Sequence, residues 1–547
     1  ILDVTSFSSS ITFPMLLNSD FIVELSPFLN EESVRRLATT CKSMNNVLRR
    51  SLSFIRAEKY GAFRSYTGVK SAIMYNEISF PAGLTSLDII ERDTPPLSGL
   101  PETLTKLSTE MLVLYDVGKG GKCKYIDQSP YVPSSLKHLD VFVLESTDQI
   151  DKFGDLEYLQ VREFAEPCEY FRLPRCLTSL KIGSPIYNNI NVSLDLVWPA
   201  LPNTLKSFSI VADPHDKSEV KMSQLPCSLT SLFICAQGIV FGKNDYFNPG
   251  LASLKTSIVD PNLKDMPFDM KMLPSTLTEL EVKLMKPDFG QFIAKVPKSI
   301  TSLGIVDVAN TVRFEKDFPL NIKILRILAV DLGYVSGFEN LPRDMEELSF
   351  GDYVFTIPRP GYRPNNYAIM TAFQIKDLPF SLKRLRGIVL YTGDVNAFTL
   401  APFENLMEIE NFSTDMSKSV LPKRLMCFSG DLDYRIPLPN YLTRLTLRVS
   451  SFSTAKRPGC FWLGDLPKSL TVLNIRQLII CKDTVETDNN IVRISITFIY
   501  FEGEQYQDGN KNEIVKLLPL IFPRADVCTN AHFEIGTNLD GRRWHIR

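Results

Sequence analysis

One short pattern of apolar and polar positions recurs along most of the chain. Residues 273–282 read LPSTLTELEV, and the segments at 225–234 and 466–475 read LPCSLTSLFI and LPKSLTVLNI. Each phrase ends in alternating apolar and polar residues, which is the pattern of a short β-strand with one buried face. In the first phrase we expect Leu277, Leu280 and Val282 to point inward, and Glu279 and Glu281 to point outward.

The first apolar position of each phrase serves as an anchor for aligning the copies. The anchors recur on average every 24 residues or so, and residues 491–496 form a candidate further copy. A single copy cannot bury its apolar face, but a stack of copies can. We therefore predict a parallel sheet with one strand from each copy. The seventeen anchors are Leu84, Leu104, Leu136, Leu156, Leu177, Leu205, Leu229, Leu251, Leu277, Ile300, Ile322, Met345, Leu382, Leu406, Leu425, Leu442 and Leu470.

The repeated phrase resembles leucine-rich repeats. More narrowly, it is similar to the LPxSLxxLxI variants of bacterial leucine-rich effectors and of the FNIP-type repeats of amoebae and large DNA viruses. The chain lacks the asparagine that regularly follows the strand in the standard repeat, so no asparagine ladder is expected. The resemblance implies an α/β leucine-rich-repeat solenoid over residues 81–500, with a parallel sheet on its concave face.

The segment before the repeats, residues 11–55, has a helical pattern instead. Ile22, Leu25, Phe28 and Leu29 lie at helical spacing, and Asn30 is a suitable N-cap for a second helix. The order of residues, from Phe13-Pro14 to Cys41-Lys42, resembles an F-box. That resemblance implies contacts with a Skp1-like adaptor, made by Pro14, Ile22, Leu25, Phe28, Leu29 and Leu37. The alternative is a helical cap that covers the open end of the solenoid.

The remaining boundaries follow from these two regions. Residues 56–80 are predicted to be a connector, and residues 501–547 a C-terminal cap. Within and before this cap, the sequence predicts a strand over 491–499, a helix over 512–523 and a last strand near residues 524–530.

Composition and charge narrow the choice of partners. The chain has 547 residues, 44% of them hydrophobic, and a net charge of −2, which argues against nucleic acid as a partner. No apolar run reaches the ~18 residues of a membrane span, so no membrane association is expected. The ten cysteines form no CxxC pair and no disulfide pattern. They are typical of reduced thiols in an intracellular protein, either cytoplasmic or nuclear.

The residues that could perform chemistry are few. The four histidines show no metal-ligand spacing, and no catalytic or nucleotide-binding motif occurs. We therefore predict no catalytic residue, no cofactor and no metal site. His138 falls at an outward strand position, where it is either a surface residue or a substrate contact.

Charged residues at outward positions are the candidates for binding. Arg384 and Arg386 should face Glu408 and Glu410 on the neighbouring strand, either as an ion-pair ladder within the chain or as partner contacts. The second group has no evident acidic neighbour on the same face and suits a carboxylate or phosphate-bearing ligand. It consists of Arg444, Arg448 and Arg476.

These observations together predict a non-catalytic protein-binding scaffold. With the F-box resemblance, the chain is expected to be the substrate receptor of an SCF-type (Skp1–cullin–F-box) ubiquitin ligase, holding a protein substrate on the concave face. The alternative is a structural component of a larger assembly, such as a virus particle or a kinetochore-like complex.

Overall fold

The computed structural model describes the repeat region, with gaps. The described residues are 54–57, 71–74, 84–89, 100–112, 133–144, 150, 153–164, 172–183, 194–211, 219–220, 222–237, 240–241, 246–259, 269–283, 289–306, 312–328, 335–351, 368–391, 397–414, 418–430, 437–447, 460–462, 466–480, 491, 493–501, 526–527, 534–537 and 542–543. The predicted F-box-like unit, residues 11–55, lies outside them apart from its last two residues. The described strands divide into two compact units, one ending at Leu277 and one beginning at Thr278.

The N-terminal unit is built on a parallel sheet. Its strands β1 to β8 pair with one another in chain order, β8 then pairs with β10 and β10 with β12, while β9 and β11 form a small parallel pair of their own. The strands are β1 (Phe54–Ala57), β2 (Ser71–Met74), β3 (Ser86–Ile89), β4 (Lys106–Leu112), β5 (His138–Leu144), β6 (Tyr158–Phe164), β7 (Ser179–Ile182), β8 (Ser207–Val211), β9 (Glu219–Val220), β10 (Ser231–Gln237), β11 (Val240–Phe241) and β12 (Ser253–Val259).

The C-terminal unit repeats the same arrangement. Its parallel sheet has the order β13, β14, β16, β18, β20, β22, β24, β25, β27 and β28; β19 and β26 pair with the later halves of β20 and β27. The strands are β13 (Glu279–Lys283), β14 (Ser302–Val306), β15 (Val312–Arg313), β16 (Ile324–Leu328), β17 (Val335–Ser336), β18 (Glu347–Phe350), β19 (Ala368–Thr371), β20 (Arg384–Tyr391), β21 (Ala397–Thr399), β22 (Glu408–Thr414), β23 (Lys418–Val420), β24 (Cys427–Gly430), β25 (Arg444–Leu447), β26 (Cys460–Trp462), β27 (Val472–Ile480), β28 (Arg493–Phe501), β29 (Asp526–Val527), β30 (Glu534–Thr537) and β31 (Arg542–Arg543).

Helices in the described residues are short and lie between the strands of the main sheets. The α-helices are α1 (Leu194–Val197) and α2 (Phe289–Ile293), and the 3₁₀ helices are Trp198–Ala200, Met222–Gln224, Met270–Met272, Phe338–Asn340 and Ala372–Asp377. Two more pairs of short parallel strands, β15 with β17 and β21 with β23, occupy the same connecting segments. Each coil therefore consists of a repeat strand of the main sheet and a return segment, and the return segments before β20 and β27 add the strands β19 and β26 to that sheet.

A tight turn leads into each strand. In the coil anchored at Leu205, the Leu205 amide donates to the Pro202 carbonyl at 3.0 Å, three residues back, and the same bond recurs at most other anchors. Proline suits this position because it lacks an N–H and its carbonyl is the group that the turn needs. The next two amides, of Lys206 and Ser207, both donate to the carbonyl of Thr178 in the preceding coil, at 2.8 and 3.0 Å. This shared acceptor fixes the register between consecutive strands.

The core consists of the residues that the repeat pattern placed inward. All seventeen anchors are exposed by at most 1%, and Ile491, the anchor of the candidate further copy, is equally buried. The residue three positions after each anchor is also buried, as Leu280 is after Leu277. The stacked parallel coils with this leucine core form a leucine-rich-repeat solenoid fold in each unit, which confirms the predicted fold class for the repeat region.

A ladder of hydroxyl groups links successive coils. In seven of the described coils the serine or threonine just before an anchor donates to the carbonyl of the anchor one coil earlier, at distances of 2.5–2.9 Å; Ser299, before Ile300, makes no such bond. We call this set the hydroxyl ladder; it comprises Thr103, Ser135, Thr204, Ser228, Thr276, Ser381 and Ser469. Asn321 takes the same position and donates to the Ile300 carbonyl. The ladder explains why the repeated phrase has S or T in that place.

Removing one hydroxyl from this ladder should weaken two coils locally. Thr204 donates to the carbonyls of Arg175 and Leu177 at 2.7 and 2.8 Å. The change Thr204→Val keeps the side-chain shape, and we expect it to cost about 1 kcal/mol because the one hydroxyl proton that the two carbonyls share is lost. Native-state hydrogen exchange of the Lys206 and Ser207 amides measures this loss. The control Thr204→Ser keeps the hydroxyl. If these amides exchange at the same rate in the valine and serine variants, the ladder does not stabilise the coils.

Two described strands lie before residue 81, and the predicted domain boundaries stay predictions. The strands β1 and β2 precede residue 81, the expected start of the solenoid. All of β2 and the second half of β1 lie within the predicted connector, residues 56–80. Their sequences, FIRA and SAIM, lack the preceding Leu-Pro phrase, so the repeat pattern does not identify them. At the other end, β28 and β29 match the predicted strands, and the helix predicted over 512–523 lies outside the described residues.

Candidate binding faces on the strands

The open face of each sheet consists of the side chains at the second and fourth positions after each anchor. These positions alternate with the buried ones, so their side chains point away from the core. Most of them are half-buried or exposed. The inward positions carry the same few apolar residue types in coil after coil, whereas the open-face positions carry charged, aromatic or serine side chains in different parts of the sheets. Any specificity of the sheet therefore lies on the open face.

In the C-terminal unit a ladder of alternating charges crosses the open face. Arg326 lies 4.0 Å from Glu279 and donates from Nε to Glu347 Oε1 at 2.8 Å. Glu347 also lies 3.7 Å from Arg384, whose Nε lies 2.9 Å from Glu408 Oε2. The side chain of Glu347 is only 15% exposed, since a guanidinium covers it on each side. These arginine and glutamate side chains are therefore paired with one another within the chain.

Four of the predicted partner-binding residues belong to this charged region. Arg384 is in register with Glu408, and Arg386 with Glu410, whose carboxylate lies 3.6 Å from the Arg386 Nε. The sequence left two alternatives for them, an internal ladder and a partner contact. The observed ion pairs have the geometry of the internal ladder. Contact of these four residues with a partner stays a prediction.

Glu281 is expected on the open face and lies there, but it is largely covered. It is only 9% exposed, because the strand next to it carries Gly304 in register. A Cβ atom at Gly304 would lie 2.7 Å from Cγ of Glu281. The absence of a side chain at Gly304 thus gives Glu281 the space to lie flat on the sheet. This dependence on a neighbouring strand explains why alternation alone predicts more exposure for Glu281.

Of the predicted arginine patch, the structure places only Arg444. Arg444 is exposed and in register with Cys427, and no ion pair reaches it from the residues described. Burial raises the pKa of the Cys427 thiol, while the nearby Arg444 acts in the opposite direction. The thiol is therefore protonated near neutral pH. Arg476 lies in β27, but its side chain is outside the described part, as is the whole of Arg448.

The N-terminal unit has a cluster of aromatic and basic side chains that the repeat pattern alone did not predict. The rings of His138 and Tyr158, on β5 and β6, stack in parallel with centroids 3.9 Å apart. The Lys181 ammonium, on β7, lies over the Tyr158 ring, 5.6 Å from its centroid. Lys106, on the neighbouring strand β4, is the register partner of His138. We call these four residues the His–Tyr–Lys cluster. All four hold open-face positions, so the correct register of β4 to β7 would have revealed it.

Electrostatic interactions within the cluster are repulsive for a protonated histidine. Burial lowers the pKa of His138, and the positive charges of Lys106 and Lys181 lower it further. His138 is therefore neutral near pH 7. The neighbouring carboxylate of Asp140 lies 3.6 Å from the Arg162 guanidinium, which itself lies 5.6 Å from the centre of the Phe142 ring. The cluster is thus a small positive region with an aromatic floor.

A row of serines continues the open face beyond the cluster. Ser179, Ser207, Ser231 and Ser253 are in register on β7, β8, β10 and β12. All are half-buried. Their small side chains leave the backbone of the sheet accessible, and their hydroxyls can donate or accept hydrogen bonds. This serine row would admit an extended chain close to the sheet.

Comparisons with known proteins give only distant likenesses. No protein-family model and no curated protein matches the chain. Among solved structures, the chain is similar to CroV588, a novel circular LRR protein, with 16% identity and a TM-score of 0.34 over 81% of this chain; it spans 64% of the length of that protein, less than two thirds. It is also similar to the plant peptide hormone receptor RGFR1 in complex with RGF2, with 11% identity and a TM-score of 0.27, over 89% of this chain and 94% of that one.

A third solved structure is similar at the same low level. The functional domain of InlJ from Listeria monocytogenes shares 10% identity with a TM-score of 0.20, over 83% of this chain and 70% of that one. All these structures have low identity and low structural overlap. The solenoid fold of each unit is evident from the strands, anchors and hydrogen bonds of this chain itself.

The described residues provide neither a metal-binding group nor a membrane-spanning helix. Within the described part of the chain, no group of three or more histidine, cysteine and acidic side chains is placed to bind a metal ion. The described helices are all too short or too polar to cross a membrane. Cys176, Cys227 and Cys427 are thiols. The open faces are thus the best-defined candidate site that the described residues present.

Proposed function

We propose that the chain is a non-catalytic protein-binding scaffold, with a partner protein held on the open faces of its strands. One observation supports this proposal most directly: the inward positions repeat the same apolar residues, whereas the open-face positions vary at a fixed strand spacing. A partner that crosses several strands would meet one open-face side chain about every 4.8 Å, and these side chains are charged, aromatic or serine in different parts of the face. Such a face can distinguish one extended protein segment from another without any catalytic group.

Site-specific cross-linking tests this proposal. A photoreactive amino acid is placed at Ser231, on the serine row, and in a second variant at Lys298, an exposed residue of a turn outside the open face. Using full-length chain and native extract, we expect one stoichiometric protein to be captured at Ser231 and competed by unlabelled chain, and not to be captured at Lys298. Equal capture at both positions, or no saturable capture at Ser231, would contradict a partner-binding role for the open face.

A more specific role follows from the N-terminal sequence. The F-box resemblance of residues 11–55 favours a substrate receptor of an SCF-type ubiquitin ligase, which acts inside the cell. Its partners would be a Skp1-like adaptor at Pro14, Ile22, Leu25, Phe28, Leu29 and Leu37, and a protein substrate on the open face. The alternative is a structural scaffold in a larger assembly. Stable co-purification with such an assembly, without ubiquitin-ligase components, would favour that alternative.

Binding to a purified Skp1-like adaptor separates the two roles. We expect the full-length chain to bind the adaptor and the double variant Leu25→Ala/Phe28→Ala to lose binding. The control is Tyr246→Ala, which removes an exposed aromatic residue of the N-terminal unit. An adaptor that fails to bind the unmodified chain, or that binds the double variant equally well, would exclude the ligase role.

A further inference from the structure

The lysines of the His–Tyr–Lys cluster differ from three arginines on the same sheets. Arg162, Arg326 and Arg384 each have a carboxylate of the same unit within 4.0 Å. Lys106 and Lys181 are exposed, and neither forms an ion pair with any residue that the structure describes. The Lys181 ammonium lies over the face of the Tyr158 ring. These two positive charges are therefore available to an external anion.

The surroundings of His138 show that both lysines affect the same small region. After burial, the charges of Lys106 and Lys181 are the causes that lower the pKa of His138. The acidic residue on the same strand, Asp140, has Arg162 as its ion-pair partner. The other groups that face the ring stack from β6 are the neutral Gln160 and the hydroxyl of Tyr158, which donates to it at 2.7 Å. An anion above the stack would meet positive charge from both sides.

The shape of the neighbouring surface suits an extended polypeptide. The serine row continues from β7 to β12 at the strand spacing of the sheet, with side chains too small to block a chain that crosses it. Binding to nucleic acid requires many phosphate contacts, whereas this cluster offers two lysines and the whole chain has a net charge of −2. The charge and the spacing therefore favour a short acidic stretch of protein.

We propose that the open face of the N-terminal unit binds an extended acidic segment of a partner protein. Carboxylates of that segment lie between Lys106 and Lys181 above the ring stack, and its backbone crosses the serine row. This inference rests on the proposed protein-binding function, because it names the chemistry of the segment that the open face accepts. The sequence alone does not show it, since Lys106 and Lys181 are 75 residues apart and meet only through the register of four strands.

The test uses the full-length chain and a fluorescent peptide of alternating serine and glutamate. We expect saturable binding that weakens as salt increases, because the charges are exposed. The double variant Lys106→Ala/Lys181→Ala should lose about tenfold in affinity, equal to about 1.4 kcal/mol. The control Lys206→Ala removes an exposed lysine of the same unit that lies just before β8, outside the open face, and should bind as the unmodified chain does.

The pKa of His138 gives an independent readout of the same event. In NMR titrations of the histidine ring signals, the bound glutamate peptide should raise the pKa of His138, because its carboxylates offset the two lysines. A matched peptide with glutamine in place of glutamate should leave it unchanged. A pKa that rises in the double lysine variant without peptide would show that the variant is folded and that the lysines act on His138.

The outcomes separate this inference from the proposed function. If the glutamate peptide does not bind, or binds the double lysine variant equally well, while cross-linking at Ser231 still captures a partner, only the acidic-segment inference is overturned. If the peptide binds but Ser231 captures nothing saturably, the proposed function fails instead. A single-stranded RNA that displaces the peptide with higher affinity would overturn the assignment of the ligand as protein.

Discussion

Replacing Gly387 with alanine is expected to disrupt the C-terminal unit more than any other methyl-sized change. Gly387 lies inside β20 with φ of +71°, a left-handed conformation that side chains disfavour. A Cβ atom there would overlap the carbonyl oxygen of Phe350 on the preceding strand. The clash is with backbone, so a rotamer change cannot relieve it. We expect local stability to fall by at least about 3 kcal/mol.

Native-state hydrogen exchange is the appropriate measurement, because repeat arrays unfold in parts and not as a single two-state unit. Amides of β18, β20 and β22 should exchange much faster in Gly387→Ala, and those of β5 and β6 should not change. Gly154→Ala is the matched control, since a Cβ at Gly154 has no atom within 4 Å. Unchanged protection of β20 in the alanine variant would show that the strand tolerates a different backbone path.

Removing the ring of Phe338 should have the second largest effect. Phe338 is 1% exposed and begins a short 3₁₀ helix after Gly337, whose φ is +83°. Its ring lies edge-on to Phe314 at 5.6 Å and to Phe350 at 6.4 Å. The Phe338→Ala change leaves a cavity between consecutive coils, and we expect it to cost about 3–5 kcal/mol.

A variant with a smaller cavity, Phe338→Leu, shows whether the loss of stability depends on the volume removed. Phe338→Leu should cost clearly less than Phe338→Ala, since most of the volume is retained. Leu320→Ala is the surface control, because Leu320 is 74% exposed in the same unit and its loss should change stability by under about 0.5 kcal/mol. Exchange protection of β16 and β18 reports all three. Similar losses for Phe338→Ala and Leu320→Ala would contradict the role of the aromatic core.

The repeat pattern predicts the core because each inward position is set by its own strand. Alternation around Leu277 is enough to place Leu280 and Val282 inward, and both are fully buried. The same reasoning places Arg384 and Arg386 opposite Glu408 and Glu410, because consecutive copies in a parallel stack are neighbours. Features that depend on one strand or on consecutive strands in fixed register can therefore be derived from the sequence.

Features that depend on the backbone path of a neighbouring strand cannot be derived this way. The coverage of Glu281 depends on Gly304, and the left-handed conformation of Gly387 depends on the carbonyl of Phe350. The His–Tyr–Lys cluster needs the register of four strands, one of which follows a 32-residue interval between Leu104 and Leu136. Alternation gives the direction of each side chain but not the distances between side chains on different coils.

The hydroxyl ladder and the shared carbonyl have a consequence for how such a chain can change in length. They join each turn only to the turn before it, so the register does not depend on the residues in between. Thr443 bonds to a coil 17 residues earlier, and Ser381 to one 36 residues earlier. Insertions into the return segments therefore leave the pairing of the repeat strands unchanged, even where a segment contributes a further strand such as β19. A gene encoding this solenoid can gain or lose sequence there, while the strand spacing of its open faces remains constant.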